Sequence, residues 1–174
     1  AIDINLKGTA LSIHTALSYF DAKEAGHIIL FSGGGQGALE NFSSYATSKG
    51  GVWRLTETFG VELSKRNIFL NSIAPGAVNT KLLDDLLAVG PESVGQEFYQ
   101  KALAQKETGG NSPVKAAELV LYLLSKASEG LYGKTLSAIW DPYFEFRDLQ
   151  KMSQSDIYQF RRVVESDGNT RPKK

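Results

Sequence analysis

The sequence predicts an α/β fold in which a parallel sheet carries helices on both faces. Two observations indicate this class. Short apolar runs of strand length, at 27–32, 68–74 and 134–140, alternate with longer segments whose apolar residues recur at helical spacing. The runs are apolar on both of their faces, which is typical of strands that a parallel sheet buries between two layers of helices.

Local signals support each predicted helix. The apolar spacing predicts long helices over 2–20 and 43–65, and segment 80–112 is predicted to contain two short ones. Ser112 is a suitable N-cap, and Pro113 is a suitable first residue, for the helix that follows them. These helices separate the strands as an α/β fold requires.

The chain is expected to form one domain, because no internal repeat or linker interrupts it. Three strands are few for this amount of helix, and the chain of 174 residues begins without methionine. We therefore expect that the N-terminal part of the fold is missing from it.

The composition excludes several classes of function. Nineteen basic residues balance nineteen acidic ones, so no overall charge favours nucleic acid or an anionic membrane. No apolar run reaches the length of a membrane span, and there is no cysteine for a disulfide or a thiolate. The two histidines, His14 and His27, have no carboxylates positioned beside them, so no metal site is predicted. We expect a cytoplasmic protein.

Tyr45 and Lys49 are the first candidate site residues. Their spacing of four places both side chains on one face of the helix predicted over 43–65. A nearby ammonium and the helix N-terminus both favour the phenolate, so we expect the pKa of Tyr45 to be lowered. A phenol tuned in this way can donate or accept a proton during a reaction. The pair alone is weak evidence, because such spacing also arises by chance on helix surfaces.

Ser32 strengthens this interpretation. It ends the first predicted strand, at the carboxyl edge where open parallel sheets bind their ligands. It precedes Tyr45 by thirteen residues, which is enough chain to bring its hydroxyl back beside the phenol.

With these residues the sequence resembles the short-chain dehydrogenase/reductase family, up to about residue 140. The family signature, a Ser followed about thirteen residues later by Tyr-x-x-x-Lys, matches Ser32, Tyr45 and Lys49. The family's Asn, in an Asn-Leu-x-Gly context, matches Asn5. A Pro-Gly after the next strand, with a Thr four residues on, matches NSIAPGAVNT at 71–80. The resemblance implies the C-terminal portion of a Rossmann-like, doubly wound parallel sheet.

The resemblance also implies a chemistry, which is hydride transfer between NAD or NADP and a small carbonyl or alcohol substrate. Tyr45 is implied as the general acid/base, and Ser32 as the residue that hydrogen-bonds the reacting oxygen. Lys49 would lower the phenol pKa and hold the nicotinamide ribose, and Asn5 would steady a water that links Lys49 to solvent. The expected cofactor contacts are Tyr45, Lys49, Pro75, Gly76, Val78 and Thr80.

Substrate contacts and the interface between subunits follow from the same resemblance. Segment 81–110 occupies the family's substrate-lid position, and packing alone would also explain its large apolar side chains. The expected substrate contacts are Gly33, Gly34, Leu82, Leu86 and Phe98. Family members commonly pair through two helices, so a homodimer or homotetramer through 2–20 and 43–65 is expected.

The chain departs from the family at both ends. The glycine-rich phosphate loop of the family belongs upstream of Asn5 and is not in this sequence. After the last strand, Pro142 and Tyr143 replace the two glycines that usually follow the aspartate. We therefore expect a catalytic portion at 1–147 and a C-terminal extension at 148–174, helical over 148–165.

Two enzyme alternatives share the motif, namely a 3-oxoacyl-acyl-carrier-protein reductase and a sugar-nucleotide epimerase or dehydratase. A non-catalytic binding protein of the same fold is a third, although an intact Ser–Tyr–Lys–Asn set argues against it.

The glycine-rich stretch FSGGGQG, at 31–37, raises a separate question, because such loops can bind a cofactor phosphate. Its spacing is not G-x-G-x-x-G, since Glu40 stands where the last glycine would fall. We interpret the stretch as the floor of an active site, in which glycine leaves open space beside Ser32.

Overall fold

The computed structural model describes residues 1–20, 26–33 and 37–162. In this part of the chain, three strands form a parallel sheet in the order β1-β2-β3. They are β1 (Gly26–Phe31), β2 (Ile68–Ala74) and β3 (Thr135–Ser137). The predicted parallel α/β architecture is confirmed.

Seven α-helices accompany the sheet in the described segments. They are α1 (Gly8–Ala16), α2 (Ser43–Ser64), α3 (Lys81–Val89), α4 (Pro91–Val94), α5 (Gln96–Thr108), α6 (Pro113–Leu124) and α7 (Leu149–Ser153). A π-helix, Ile2–Lys7, precedes α1, and short 3₁₀ turns cover Lys126–Ser128 and Tyr143–Glu145. The predicted start of α6 is confirmed, because the Ser112 hydroxyl accepts a hydrogen bond from the Val114 amide.

Several predicted boundaries are wrong, and local backbone features explain most of them. The first helix begins as a π-helix and ends at Ala16, where the chain tightens into turns. Segment 80–112 contains three helices, because Gly90 and Gly95 have φ of 79° and 88° and interrupt it twice. The last strand ends at Ser137, whose hydroxyl accepts hydrogen bonds from the amides of the next turn.

Two apolar clusters cover the two faces of the sheet. The first joins α1 and α2 to β1 and β2 through Ile13, Leu30, Val52, Leu63, Ile68 and Leu70. The second joins α6 to the opposite face through Ile73, Leu119, Leu123 and Leu136. Burial on both faces explains why the strands are apolar throughout.

The segment after β3 folds back onto the outer edge of the sheet. The Thr135 amide donates to the Tyr158 carbonyl at 3.1 Å, and Arg54 of α2 donates to the Phe160 carbonyl at 2.8 Å. The Phe160 amide in turn donates to the buried carboxylate of Glu57. Residues 142–162 therefore join β3 to the middle of α2.

The helix predicted over 148–165 is wrong for most of its length. Within 148–162 only α7 is helical, and Tyr158 has a φ of 57°, which a helix does not accommodate. After α7, the carbonyls of Ser155, Tyr158 and Phe160 accept hydrogen bonds from Lys134, Thr135 and Arg54 and not from the amides of a following helical turn. Residues 163–165 lie outside the described residues.

Lys134 is a fully buried lysine at the start of β3, with an exposed fraction of 0%. Its ammonium donates to the Ser155 carbonyl at 2.6 Å. Burial lowers the pKa of Lys134 from 10.5 to about 8, although the charges of Glu57 and Asp156 oppose this. A buried ammonium therefore holds the C-terminal segment to the sheet.

This burial predicts a pH dependence of stability. Between pH about 8 and 10.5 the unfolded chain keeps the Lys134 proton while the folded chain releases it, so raising the pH favours the folded state. Relative to Lys134→Met, the wild-type free energy of unfolding should rise by up to about 1.4 kcal/mol per pH unit in this window. Urea unfolding of both proteins across the window measures it. Lys115→Met, which removes an exposed lysine, is the control, and a constant difference between wild type and Lys134→Met would contradict the prediction.

Candidate active site

Tyr45 and Lys49 lie on the first turns of α2, and both are partly buried. Burial raises the pKa of Tyr45 above its ordinary value of 10.0, and burial lowers the pKa of Lys49 below 10.5. The Lys49 ammonium donates to the Phe31 carbonyl at 3.1 Å. The expectation that Lys49 lowers the pKa of Tyr45 is therefore wrong for this structure, because desolvation of the phenol dominates.

Ser32 directly follows β1 and is 5% exposed. Its amide donates to the Ile73 carbonyl, which extends the pairing with β2 by one residue. Its hydroxyl donates to the Lys49 carbonyl at 3.4 Å. The carboxyl end of β1 and the turn of α2 that carries Lys49 are thus in direct contact. The position of the Ser32 hydroxyl beside the Tyr45 phenol stays a prediction.

Asn5 approaches the same turn of α2 from the π-helix. Its side-chain amide donates to the Ser48 hydroxyl at 3.0 Å, and Ser48 donates to the Tyr45 carbonyl at 2.7 Å. The Asn5 carbonyl accepts a hydrogen bond from the Thr9 hydroxyl at 2.6 Å. The structure thus places all four residues of the predicted set, Asn5, Ser32, Tyr45 and Lys49, around one turn of α2.

Ser48 is the site residue that sequence reasoning missed. A signal for it was available, because Ser48 lies three residues after Tyr45 and directly precedes Lys49. A serine inside a helix usually bonds to its own backbone, so the sequence did not distinguish it from an ordinary helical serine.

The loop after β2 carries the predicted cofactor contacts Pro75, Gly76, Val78 and Thr80. Gly76 has a φ of 87°, and a Cβ at this position would lie 2.6 Å from Ile139 Cγ1, so a side chain does not fit. The Asn111 amide holds the loop by donating to the Ala77 carbonyl at 2.8 Å. Gly33, with a φ of 92°, lies beside the start of this loop: a Cβ on it would be 3.8 Å from Ala74 and Pro75.

Two cavities adjoin this loop. One of about 280 Å³ lies between the loop and helices α3 and α5. It brings together predicted cofactor and substrate contacts, namely Gly76, Val78, Thr80, Leu82, Leu86 and Phe98. The other, of about 620 Å³, is lined by Phe31, Pro75, Val78, Thr80 and apolar residues of α6. Gly34, the remaining predicted substrate contact, lies outside the described residues.

Three further ionisable residues of the described segments have ordinary surroundings. His27 packs its ring on Phe69 at 5.6 Å, and Asp84 and Asp85 pair with Lys106 and Lys81 on exposed surface. In the ranges 1–20, 26–33 and 37–162, no three His, Cys, Asp or Glu side chains come together as a metal site would require. None of the helices described there combines the length and the hydropathy that crossing a bilayer needs.

The comparison with known proteins identifies the family. Residues 1–138 match a family model described as enoyl-(acyl carrier protein) reductase. The chain belongs to the short-chain dehydrogenase/reductase family. Residues 142–162, which fold back onto β3 and α2, lie beyond the match.

Relatives agree with this assignment. Over 137 residues the chain is 41% identical to 3beta-hydroxysteroid dehydrogenase 1 of Eggerthella lenta, which covers 78% of this chain and 51% of that protein. Over 143 residues it is 30% identical to a 3-oxoacyl-[acyl-carrier-protein] reductase of Thermotoga maritima, covering 78% of this chain and 52% of that protein. The chain thus spans about half the length of the curated relatives it matches.

A solved structure supports the fold of this dehydrogenase/reductase chain. Carveol dehydrogenase from Mycobacterium avium, determined in complex with NAD, superposes with a TM-score of 0.65 at 26% identity, over 78% of this chain and 53% of that one. The predicted Rossmann-like architecture is confirmed.

Proposed function

We propose that this chain carries the catalytic portion of an NAD(P)-dependent oxidoreductase that interconverts a carbonyl and an alcohol. The observation that carries the proposal is the convergence of Asn5, Ser32, Tyr45 and Lys49 on one turn of α2 at the carboxyl end of β1. A cavity lined by three predicted cofactor contacts lies at the same edge of the sheet.

The residues of this edge fit a nicotinamide cofactor. Gly33 and Gly76 have no side chain at this edge, where a Cβ would contact Ala74 and Pro75 in the first case and Ile139 in the second. The larger cavity offers apolar surface for a flat ring. Pro75, Gly76, Val78 and Thr80 would hold the nicotinamide, and Lys49 and Tyr45 would hold its ribose. When bound, the cofactor would supply or accept the hydride.

The chain's own residues would handle the proton. Ser32 would donate a hydrogen bond to the substrate oxygen and fix its position. During reduction the Tyr45 phenol would protonate that oxygen, and during oxidation it would take the alcohol proton. Burial raises the pKa of the Tyr45 phenol, which favours the protonated form that a proton donor needs.

An apolar substrate fits the smaller cavity. Leu82, Leu86 and Phe98 line it together, and the Phe98 ring packs on Phe42 at 4.6 Å. A compound with an apolar body and one carbonyl or hydroxyl group would therefore suit the site. An enzyme similar to the 3-oxoacyl-[acyl-carrier-protein] reductases is the second candidate, which the relative from Thermotoga maritima favours.

Steady-state assays of the full-length protein test this proposal. NADH and NADPH are each supplied with alicyclic ketones and with a 3-oxoacyl thioester, and cofactor oxidation is followed. We expect turnover with one cofactor and at least one carbonyl class. Cofactor binding without turnover of any substrate would instead support a non-catalytic binding protein of this fold.

Self-association through 2–20 and 43–65 is part of the proposal. Ile4 and Leu11 are 79% and 56% exposed on the first of these segments, and Val61 of α2 is 48% exposed. Leu11→Glu is expected to shift a dimer or tetramer toward monomer in light scattering, because it places a charge in an apolar contact. Leu124→Glu, on an exposed position of α6, is the control, and an unchanged mass for Leu11→Glu would contradict this interface.

The remaining expectations extend the same proposal. Residues 1–147 would form the catalytic portion and 148–174 an extension that supports it. The cytoplasm is the proposed location, and cell fractionation tests it.

A further inference from the structure

Ser48 is a fully buried residue between Tyr45 and Lys49, with an exposed fraction of 0%. Its hydroxyl uses both of its hydrogen-bonding roles: it accepts from Asn5 Nδ2 at 3.0 Å and donates to the Tyr45 carbonyl at 2.7 Å. A helical serine that bonds only to the preceding turn is common and has no special consequence. Ser48 differs, because its other partner is 43 residues away and belongs to the π-helix.

The π-helix and α2 pack closely at this point. A Cβ added to Gly51 would lie 2.8 Å from both methyl carbons of Leu6, so the π-helix rests on nearly bare backbone of α2. Ser48 and Gly51 are three residues apart and face the same neighbour. The hydrogen bond from Asn5 to Ser48 thus lies beside a close contact between the two helices.

The same turn of α2 is held from β1 as well. Lys49 donates to the Phe31 carbonyl, and the Lys49 carbonyl accepts from Ser32. The turn that carries Tyr45 and Lys49 therefore has two attachments, one to β1 and one to the π-helix. The second attachment passes through the Ser48 hydroxyl.

We propose that Ser48 is a positioning residue, which fixes Asn5 and the turn from Tyr45 to Lys49 relative to each other. It acts through these neighbours and through no contact of its own with substrate. Without its hydroxyl, the amide of Asn5 loses its acceptor, and the Tyr45 carbonyl loses a donor. The effect of Ser48 on a reaction rate rests on the proposed function.

The test is a double-mutant cycle with Asn5→Ala and Ser48→Ala, measured in two ways. Urea unfolding of this chain shows whether the two residues interact, and it requires no enzyme activity. The pH profile of NAD(P)H-dependent carbonyl reduction by the full-length protein shows whether the interaction positions the site. We expect each single variant to lower kcat about tenfold, the scale of one buried hydrogen bond, and to move the pH at which the rate is half maximal. The double variant should be no slower than the slower single one.

Thr56→Val is the matched control. Thr56 is equally buried on α2, and within 1–20, 26–33 and 37–162 its hydroxyl bonds only to the Val52 carbonyl, at 2.9 Å. This variant therefore removes a helical hydroxyl that bonds to its own helix. It should lower stability and leave the pH profile unchanged. A Ser48→Ala profile that coincides with wild type, while Tyr45→Phe is inactive, would reduce Ser48 to a structural role and overturn the inference. If Tyr45→Phe is fully active, the proposed function itself is wrong. The urea-unfolding cycle would still show whether Asn5 and Ser48 interact, because it does not depend on enzyme activity.

Discussion

Tyr45→Phe is expected to lower NAD(P)H-dependent carbonyl reduction by about 10²–10⁴-fold, the contribution of a positioned proton donor. The substitution removes one oxygen atom from a partly buried side chain and keeps the ring. Because the Ser48 bond is made to the Tyr45 carbonyl, the variant leaves the surrounding turn of α2 intact. Because Lys49 would still hold the nicotinamide ribose in this variant, cofactor affinity, measured by NAD(P)H fluorescence, should fall far less than the rate.

Tyr99→Phe provides the comparison for this variant. Tyr99 is a partly buried tyrosine on α5, and it does not line either cavity beside the loop after β2. Its replacement should leave the rate unaffected. A Tyr45→Phe enzyme that retains the rate of the Tyr99→Phe enzyme would show that another group transfers the proton.

Gly60→Ala is expected to produce the largest loss of stability from a single added methyl group. Gly60 is buried on α2, where a Cβ would lie 2.4 Å from Gly133 Cα and 2.5 Å from Gly133 N. Both are backbone atoms, and the Gly133 amide is already bonded to the Leu70 carbonyl at 2.8 Å. Overpacking of this kind costs about 1–3 kcal/mol and more where the neighbour cannot shift, so we expect the upper end of that range.

Gly8→Ala is the control for this effect. Gly8 is also helical, but a Cβ there meets only the Asp3 carbonyl at 3.6 Å, which is an ordinary contact. Alanine is the better helix former by about 1 kcal/mol, so this variant should be neutral or stabilising. Urea unfolding of the two variants measures the difference, and equal stabilities would mean that α2 and the turn before β3 are farther apart than the structure has them.

The sequence predicts the central part of the fold well. β2 has the predicted bounds of 68–74, and β1 differs by one residue at each end, because a buried apolar strand has a strong local signal. The sequence predicts the extension poorly, because its carbonyls accept hydrogen bonds from residues 21 to 106 positions earlier in the chain, such as Lys134 and Arg54. Periodicity reports on neighbours in sequence and carries no information about such partners.

At the candidate site too, the sequence predicts some features and not others. Asn5, Ser32, Tyr45 and Lys49 lie around one turn of α2, and their roles in a reaction stay a prediction. The pKa of Tyr45 was expected in the wrong direction, because spacing reveals a neighbouring charge and does not reveal how much water is lost. Ser48 was missed for a related reason: its partner Asn5 is known only once the two helices are packed.

The attachment of the C-terminal segment to α2 has a consequence for how the chain acquires its structure. The Phe160 carbonyl accepts a hydrogen bond from Arg54, 106 residues earlier, and the Phe160 amide donates one to Glu57, 103 residues earlier. Contacts of such long range form late, because the intervening loop must close first. During synthesis, α2 leaves the ribosome long before Phe160 does, so Arg54 and Glu57, on the helix that carries Tyr45, obtain this partner only after more than a hundred further residues have been made.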